Sequence, residues 1–419
     1  MCAAVEKIVF KFIWRNKTEY IKRKTIIRCV SEGGLNALDF DTINNIFKVN
    51  WIKHCLCENN LPWFFIPNLV FKECGGLNFL LACDFKCTKL PIKLSNFHKQ
   101  ALNTWKLLYK HNFSPHSCII WNNQYVLFKN KNIFWNDWFN KGLIFVTDLL
   151  NQSGDLYNYN EFVNYLGTNV SSKEYFKLIH CISPKLLYLI KNEKVYNPVI
   201  GSLPSLTVGG HSIRDKKFNN IYIRRILTKE KSSSPKAMVK WKQDYHFLGF
   251  KNLWSDINKY VIPNKVKETH FKIINRYYPC NDFISKFKEG FSPLCSFCKE
   301  ENETIVHLFF SCNYTKLFWS QVSWFVFELF YKFVTITDVM VLFMDCDTGL
   351  LEMDKIIKLL ILFGKYHIHK ARCMSTVPNG RLFSIDLKNF YDSLTSIQNN
   401  RKALKTSKLL KRILNVLVT

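Results

Sequence analysis

The sequence predicts a mainly α, irregular helical chain of several domains, one of which carries a small cysteine- and histidine-rich subdomain. The chain has 419 residues, 48% of them hydrophobic and 16% aromatic, so it is long enough to bury two or three cores. Apolar residues recur at helical spacing in segments such as HKQALNTWKLLYKHNF and DKIIKLLILFGKYHIHKARC. Loops rich in Asn, Gly and Pro interrupt these segments, which predicts an irregular arrangement of helices.

The amino-terminal segment mixes basic and aromatic residues. Residues 7–28 hold eight Lys and Arg residues against one acid, Glu19. Aromatic residues at helical spacing usually face a core, so Phe12 and Trp14 are predicted to pack, while the basic residues offer contacts to phosphates. We expect no signal peptide, because MCAAVEKIVFKFIW lacks both a basic region with a clean apolar core and a small-residue cleavage site.

Two similar phrases, SEGGLNALDF and ECGGLNFLLACDF, each place a Gly-Gly pair before an apolar segment. They predict a turn followed by a helix, used twice, and two copies are too few for a solenoid.

The middle of the chain predicts a helical domain over 51–196 and a linker with a basic segment over 197–240. Residues 197–212, NPVIGSLPSLTVGGHS, combine prolines, glycines and small polar residues. Residues 216–242 hold nine basic residues and one acid, and the stretch KEKSSSPK within them is expected to be exposed and mobile. A domain boundary is therefore predicted here.

A carboxy-terminal helical domain is predicted over 241–419. Its most apolar run, residues 317–344, contains Glu328, Lys332 and Asp338, so it is predicted to be core helix and not a membrane span. The last nineteen residues form a basic amphipathic helix, suited to a phosphate backbone, to a lipid surface, or simply to solvent.

Four residues have metal-ligand spacing, Cys295-x2-Cys298-x8-His307-x4-Cys312. A C-x2-C turn lets two sulfurs converge on one Zn²⁺, and a third and fourth ligand a short loop away complete a tetrahedron. His307 and Cys312 are five residues apart, so the helix that carries His307 must end or kink before Cys312, and Asn313 is expected to cap the next helix. The alternative is core cysteines with a packed histidine.

The other cysteines and histidines are predicted to pack, since none completes a ligand set. They include Cys55, Cys57, Cys74, Cys83, Cys87, His367 and His369. Fifteen cysteines without a regular framework or an export signal predict free thiols in a reducing, intracellular compartment.

The formal charge of +27 favours polyanionic partners, either nucleic acid or anionic membrane, and disfavours basic ones. Aromatic residues beside basic ones, such as Tyr277 and Tyr278 next to Arg276, serve either base stacking or packing.

The segment CSFCKEENETIVHLFFSCNYTKLFW, preceded by NKVKETHFKIINRYYP, is similar to the zinc-binding segment that follows the reverse transcriptase in LINE (long interspersed element) retrotransposons. Further phrases resemble the carboxy-terminal part of the second open reading frame of vertebrate, especially fish, elements of the LINE-one clade. They occur in the family's order and span essentially the whole chain: FKFIWRNKTEYIKRKTI, GGLNALDFDTINNIFKVNWIK, GGLNFLL, WKLLYKHNFSPH with IWNN, and FGKYHIHKAR. The interval x8 is longer than the usual x4 of a retroviral zinc knuckle, so the motif is a knuckle variant.

The resemblance implies that residues 1–50 are a thumb-like remnant of a reverse transcriptase, followed by a connector and a cysteine-rich terminal domain. It implies that Cys295, Cys298, His307 and Cys312 are the four motif residues and bind one zinc ion. The polymerase requires an adjacent Asp-Asp pair to hold Mg²⁺, and the sequence contains none; Asp345 and Asp347 are predicted to lie in an acidic loop. Neither catalysis by this chain alone nor a magnesium site is therefore expected.

The resulting hypothesis is a non-catalytic fragment that binds RNA or DNA with weak sequence specificity, in cytoplasmic ribonucleoprotein or the nucleus, and associates with other retrotransposon proteins. The residues predicted to contact nucleic acid are Lys22, Arg23, Lys24, Lys216, Lys217, Arg224, Arg225, Arg276, Lys408, Lys411 and Arg412. The alternatives are a zinc-scaffolded module that binds a protein or a membrane surface, and a poorly folded remnant with exposed apolar residues.

Overall fold

The computed structural model of the chain describes residues 2–57, 62–111, 114–167, 170–192, 203–246, 254, 256–396 and 400–417. The fold is mainly α, as the sequence predicts, and the named strands in these ranges form two short antiparallel hairpins. None of the helices described is long and apolar enough to cross a membrane. The chain divides into two compact units, Met1–Lys7 with Leu38–Lys231, and Ile8–Ala37 with Ser232–Thr419.

Helix α1, Cys2–Ile13, contributes residues to both units. The first unit, here called the amino-terminal unit, contains helices α3 to α11. Their bounds are α3 Phe40–Cys57, α4 Phe65–Lys72, α5 Leu77–Ala82, α6 Asn96–Leu108, α7 Asn136–Asn140, α8 Tyr159–Leu166, α9 Ser172–Cys181, α10 Pro184–Asn192 and α11 Asn220–Lys231. The hairpins pair β1, Leu127–Phe128, with β2, Lys131–Asn132, and β3, Thr207–Val208, with β4, His211–Ser212. Short 3-10 turns cover Pro62–Phe64, Pro115–Ser117 and Val146–Leu149.

Two apolar clusters hold this unit together. In the first, α3, α6 and α11 bury residues such as Val49, Trp105 and Ile223. In the second, Trp121 and Phe162 are completely buried among α7, α8, α9 and the loops between them. Each cluster removes large aromatic side chains from water, which is the main source of stability for helices of this length.

The predicted linker is partly structured. Residues 197–202 of it lie outside the described ranges, while β3, β4 and α11 lie within 207–231. The described part packs into the first apolar cluster through Val208 and Ile213. The predicted domain bounds 1–50, 51–196, 197–240 and 241–419 remain predictions.

The second unit, here called the carboxy-terminal unit, contains helix α2 and helices α12 to α19. Their bounds are α2 Arg23–Ile26, α12 Lys236–Asp244, α13 Asn264–Ile274, α14 Asn281–Ser285, α15 Asn313–Phe330, α16 Asp338–Phe343, α17 Leu351–Cys373, α18 Gly380–Thr395 and α19 Arg401–Leu417. The 3-10 turns Val30–Glu32 and Asp256–Lys259 and a π turn, His307–Ser311, complete it.

Helix α17 is the centre of this unit. Its residues 359–362 are completely buried, and α13, α15, α16 and α18 pack against it. Helix α19 packs on α15 and α18 and buries Leu410 and Ile413 in the same core. A second, small cluster joins Phe10, Ile26 and Ile27 to Tyr277.

The repeated Gly-Gly phrase forms a turn before a helix in both copies, as predicted. Gly33 has a φ of +89° and ends the first turn, and α3 begins only at Phe40. Gly76 has a φ of +88° and is followed at once by α5. Both angles lie in a region that residues with a Cβ atom rarely adopt, which explains a glycine at positions 33 and 76.

Two local predictions are wrong in part. Phe12 is 83% exposed, and the residue that fills the core at this point is Phe10, two positions earlier; Trp14 does pack, edge-on against Tyr20. The segment KEKSSSPK is exposed at Lys229, Glu230, Ser234 and Lys236, as predicted, but it is anchored at Ser233. Ser233 N donates to Lys24 O at 3.2 Å, and the Thr25 hydroxyl donates to Ser233 O at 3.1 Å.

Candidate metal centre

A tight turn positions the first two cysteines. An antiparallel bridge pairs Leu294 with Asn302, and Cys295 N donates to Glu301 O at 2.7 Å. Lys299 N donates a hydrogen bond to Cys295 O at 3.0 Å. The φ of Lys299 is +63°, which reverses the chain directly after Cys298. Both sulfurs therefore lie on one side of the turn.

A π turn positions the other two ligands. The predicted break in the helix is confirmed: residues His307–Ser311 widen into a π turn, Cys312 N donates to His307 O at 2.9 Å, and Cys312 itself is extended. Such turns add a residue to the helical ring, which brings positions five apart onto one face. The predicted cap is wrong, since Cys312 holds the N-cap position and Asn313 is the first residue of α15.

The four ligand atoms converge. They all lie within 4.8 Å of one another. The Sγ atoms of Cys295 and Cys312 are 3.9 Å apart, and Cys298 Sγ lies 3.4 Å from His307 Nε2. A tetrahedral Zn²⁺ with the usual bond lengths would place two sulfurs about 3.8 Å apart and a sulfur and a nitrogen about 3.5 Å apart. These two separations are close to those of a zinc tetrahedron, and the whole cluster fits one ion.

The protonation chemistry of the cluster also fits a cation. A hydrogen bond from the Cys295 thiol lowers the pKa of Cys312, and the same bond together with burial raises the pKa of Cys295. The bond favours a thiol at Cys295 and a thiolate at Cys312, and two thiolates at this distance would repel each other. A divalent ion between them removes that cost and takes both as thiolates.

Glu301 lies behind the histidine. Its Oε2 atom is 3.0 Å from His307 Nδ1, although the two are not aligned as a hydrogen bond. Because Nε2 faces Cys298, the ring offers Nε2 to the centre and Nδ1 to the carboxylate, as metal-binding histidines commonly do.

Glu303 fixes the centre to the rest of the unit, and nothing in the sequence pattern distinguishes it. It is 0% exposed and accepts hydrogen bonds from Asn281 N at 2.9 Å and Ser296 N at 2.7 Å. Arg372 of α17 pairs with it at 2.7 Å and also donates to Pro279 O at 2.9 Å. One buried carboxylate thus ties the cysteine turn, α14 and α17 together.

The remaining cysteines and histidines mostly pack, as predicted. Burial raises the pKa of Cys55 and of Cys74 to about 12, so these thiols stay protonated. His367 Nδ1 lies 2.9 Å from Asp386 Oδ2, and His369 Nδ1 lies 2.7 Å from the Tyr278 hydroxyl. The exceptions among the thiols are Cys29, Cys57 and Cys373, which are exposed.

The basic residues predicted to contact nucleic acid differ in exposure and in whether they form ion pairs. Lys22, Lys24, Lys216, Lys217, Arg225, Lys408 and Lys411 are exposed, and Arg224 is half-buried. Three others already have partners: Arg23 pairs with Glu19 at 2.6 Å, Arg412 pairs with Glu352 at 2.6 Å, and Arg276 pairs with Asp244.

Arg276 also lies over the Trp241 ring, 4.2 Å from its centroid. The tyrosines that follow Arg276 pack: Tyr277 stacks on Tyr20 with centroids 5.5 Å apart, and Tyr278 is buried against Phe309. All these phosphate contacts remain predictions.

Comparison with known proteins gives one family. Residues 233–319 match the family model described as zinc-binding in reverse transcriptase, and all four ligands lie inside the match. The comparison with curated proteins gives no match. The family and the geometry agree that Cys295, Cys298, His307 and Cys312 fit one zinc ion, in a region associated with reverse transcriptases.

Proposed function

We propose that the chain is the carboxy-terminal part of a LINE-clade reverse transcriptase protein and binds RNA or DNA without strong sequence preference. The observation that carries the proposal is the four-ligand centre inside residues 233–319, the segment that matches the reverse-transcriptase zinc family. The zinc ion would hold the turn, the π turn and α15 in register and take no part in chemistry. Phosphate contacts would come from exposed Lys and Arg.

The distribution of charge supports a polyanionic partner. The net charge is +27, and exposed lysines of the carboxy-terminal unit include Lys405, Lys408 and Lys411 on α19. The apolar face of this helix is already used, since Leu410, Ile413 and Leu414 are buried in the core of its own unit. A bilayer would have to displace that core, so the basic face is the part of α19 available to a partner.

In this proposal the chain performs no catalysis by itself. It acts inside the cell, in ribonucleoprotein or in the nucleus, and associates with other proteins of the same element. A polymerase and an endonuclease would belong to such partners or to other parts of a longer protein.

The test is binding of the zinc-loaded chain to single-stranded RNA of two unrelated sequences over a range of salt concentrations. Neutralised phosphates release counterions, so we expect similar affinities for both sequences and a log–log salt slope between about −4 and −8. A flat salt response would contradict the electrostatic account. Thermal unfolding of the same sample addresses the poorly folded alternative, which predicts no cooperative transition.

A protein partner is the second candidate, and the surface of α15 favours it. Tyr314, Leu317 and Trp324 are exposed at helical spacing on this helix. Exposed apolar stripes of this kind commonly mark protein interfaces. Binding to a membrane surface is tested with anionic vesicles at the same ionic strength as the RNA experiment. Vesicle binding as strong as RNA binding would indicate nonspecific charge attraction.

A further inference from the structure

A pocket of about 650 Å³ lies between the start of α17, the segment at Tyr260, and α19. It belongs entirely to the carboxy-terminal unit and is distinct from the metal centre. The residues that line it are Lys259, Tyr260, Glu352, Lys355, Lys402, Lys405, Thr406, Lys408, Leu409 and Arg412. We call it the α17–α19 pocket.

The charge of the pocket is strongly unbalanced. Six of the lining residues are Lys or Arg, and Glu352 is the single acid among them. Glu352 is already occupied, because Arg412 pairs with it at 2.6 Å while lying 4.8 Å from the centroid of the Phe330 ring. The lysines therefore receive little neutralisation from it.

Four ammonium groups in the pocket have no carboxylate partner among the described residues, namely those of Lys355, Lys402, Lys405 and Lys408. The three on α19 recur at intervals of three residues, so they are neighbours on the helix surface and repel one another. A bound anion would convert this repulsion into attraction.

The walls of the pocket are fixed. The Thr406 hydroxyl is buried, accepts a hydrogen bond from Val261 N at 3.1 Å and donates to Lys402 O at 3.0 Å. The Tyr260 hydroxyl donates to Lys355 O at 3.1 Å. These bonds join the three chain segments, so the lysines project from a preformed frame and not from a free helix.

We propose that the α17–α19 pocket binds a polyphosphate group. A cavity of this volume is large enough for a nucleotide. A backbone phosphodiester carries one negative charge, which leaves most of the lysines unsatisfied, whereas a triphosphate matches several cations at once. Two sources share this chemistry, a free nucleoside triphosphate and the 5′-triphosphate end of an RNA strand.

The proposal goes beyond nucleic-acid binding by the exposed cations, because a polyphosphate would bind here even if the chain had no affinity for internal RNA segments. The probe is therefore inorganic tripolyphosphate. Its binding to the zinc-loaded full chain is measured by calorimetry, with sulfate at equal ionic strength as the comparison anion.

The test variant is Lys405→Gln/Lys408→Gln, and the matched control is Lys240→Gln/Lys388→Gln. The control removes the same charge from exposed positions of the same unit outside the pocket. Because all four side chains are exposed, both variants should keep the zinc content and melting temperature of the parent.

We expect saturable binding of tripolyphosphate, preferred over sulfate and weakened about tenfold or more in the pocket variant but not in the control. Equal weakening in both variants, or equal binding of sulfate, would overturn the proposal. Since the probe contains no RNA, this failure is separate from a failure of the proposed function.

Two further ligands identify the source. RNA with a 5′-triphosphate and the same RNA with a 5′-hydroxyl are compared with ATP on the parent and both variants. A preference for the triphosphate end that is lost in the pocket variant assigns the site to RNA ends. Equal binding of the two RNAs, with ATP binding lost in the pocket variant, assigns it to a free nucleotide.

Discussion

Lys365 is a buried cation at the centre of the carboxy-terminal unit. It is completely buried on α17, with its Nζ atom 2.7 Å from His270 Nδ1 and 3.3 Å from Leu342 O. Burial lowers the pKa of Lys365 well below its usual value, and burial together with Lys365 lowers that of His270. Cys346 also faces Lys365, and its neutral thiol offers little compensation.

A lysine whose folded pKa is lowered makes the unfolded state bind more protons. Its cost to stability is therefore full at low pH and falls as the pH rises toward the ordinary lysine value. We expect Lys365→Met to raise the free energy of unfolding at neutral pH by about 1–4 kcal/mol. The unbranched apolar side chain of methionine fills the site without the cost of removing an ammonium group from water. Urea denaturation measures this.

The pH dependence provides the control for Lys365→Met. The advantage of the variant over the parent should shrink between pH 7 and pH 9, and this comparison cancels the titration of other groups. Lys388→Met, at an exposed position, should change stability little at either pH. A destabilised Lys365→Met would mean that the Lys365–His270 contact is worth more than its burial costs.

At the scale of single residues, the sequence predicts the metal ligands better than it predicts which side chains are buried. The spacing of Cys295, Cys298, His307 and Cys312 restricts which residues can converge, and the structure brings them together. Phe10 and Phe12 both fit an apolar face, and only the packing of Phe10 against Ile26 and Ile27 decides between them. Lys365 lies inside FGKYHIHKAR, where its charge gives no sign of complete burial.

Glu303 is where three elements meet. Its carboxylate accepts from the turn at Ser296, from the start of α14 at Asn281, and from Arg372 on α17. We expect Glu303→Gln to lower the free energy of unfolding by on the order of 3 kcal/mol, because it leaves the mostly buried Arg372 without an opposite charge. Zinc affinity should fall as well, since Ser296 lies between two ligands.

A double-mutant cycle tests this account of Glu303. Arg372→Met in the Glu303→Gln background removes the unpaired cation, so the double variant should be more stable than the sum of the single losses predicts. Equilibrium denaturation gives the stabilities, and competition with a chromogenic chelator gives the zinc affinity. Strict additivity would mean that the ion pair does not join these elements.

At the scale of elements, ligand geometry predicts that the helix breaks after His307. It does not predict that the break is a π turn. A requirement that residues five apart face one ion forces a bend, and a π turn is one of several solutions. The N-cap of α15 also could not be predicted from residue type. Asn313 has a side chain that commonly caps helices, but the N-cap position is occupied by the ligand Cys312.

For the whole molecule, apolar residues at helical spacing predict a mainly helical chain, and the structure confirms this class. The discontinuous units depend on contacts that sequence patterns do not encode. Residues 8–37 belong with the carboxy-terminal unit through contacts such as that of Tyr20 with Tyr277, far apart in the chain. A pattern of apolar spacing shows that a face is buried but not which partner covers it.

Zinc should stabilise the fold, because the four ligands converge only in the folded chain. A metal that binds only the folded state raises the free energy of unfolding by RT ln(1 + [Zn]/Kd), about 4 kcal/mol at a free concentration a thousand times the Kd. We expect one zinc per chain by elemental analysis, and a lower melting temperature after chelation. Hydrogen exchange should locate the loss at the π turn, α14 and the start of α15, which the ligands and Glu303 connect.

The variant Cys295→Ser/Cys298→Ser separates the metal from the cysteines. It should hold no zinc and melt near the temperature of the chelated parent, and chelator should not change it further. A parent chain without zinc, with melting unchanged in the variant, would contradict the metal centre. Nucleic-acid binding would then depend on the basic surfaces alone, and the Cys295–Cys312 motif would show only common descent without metal binding.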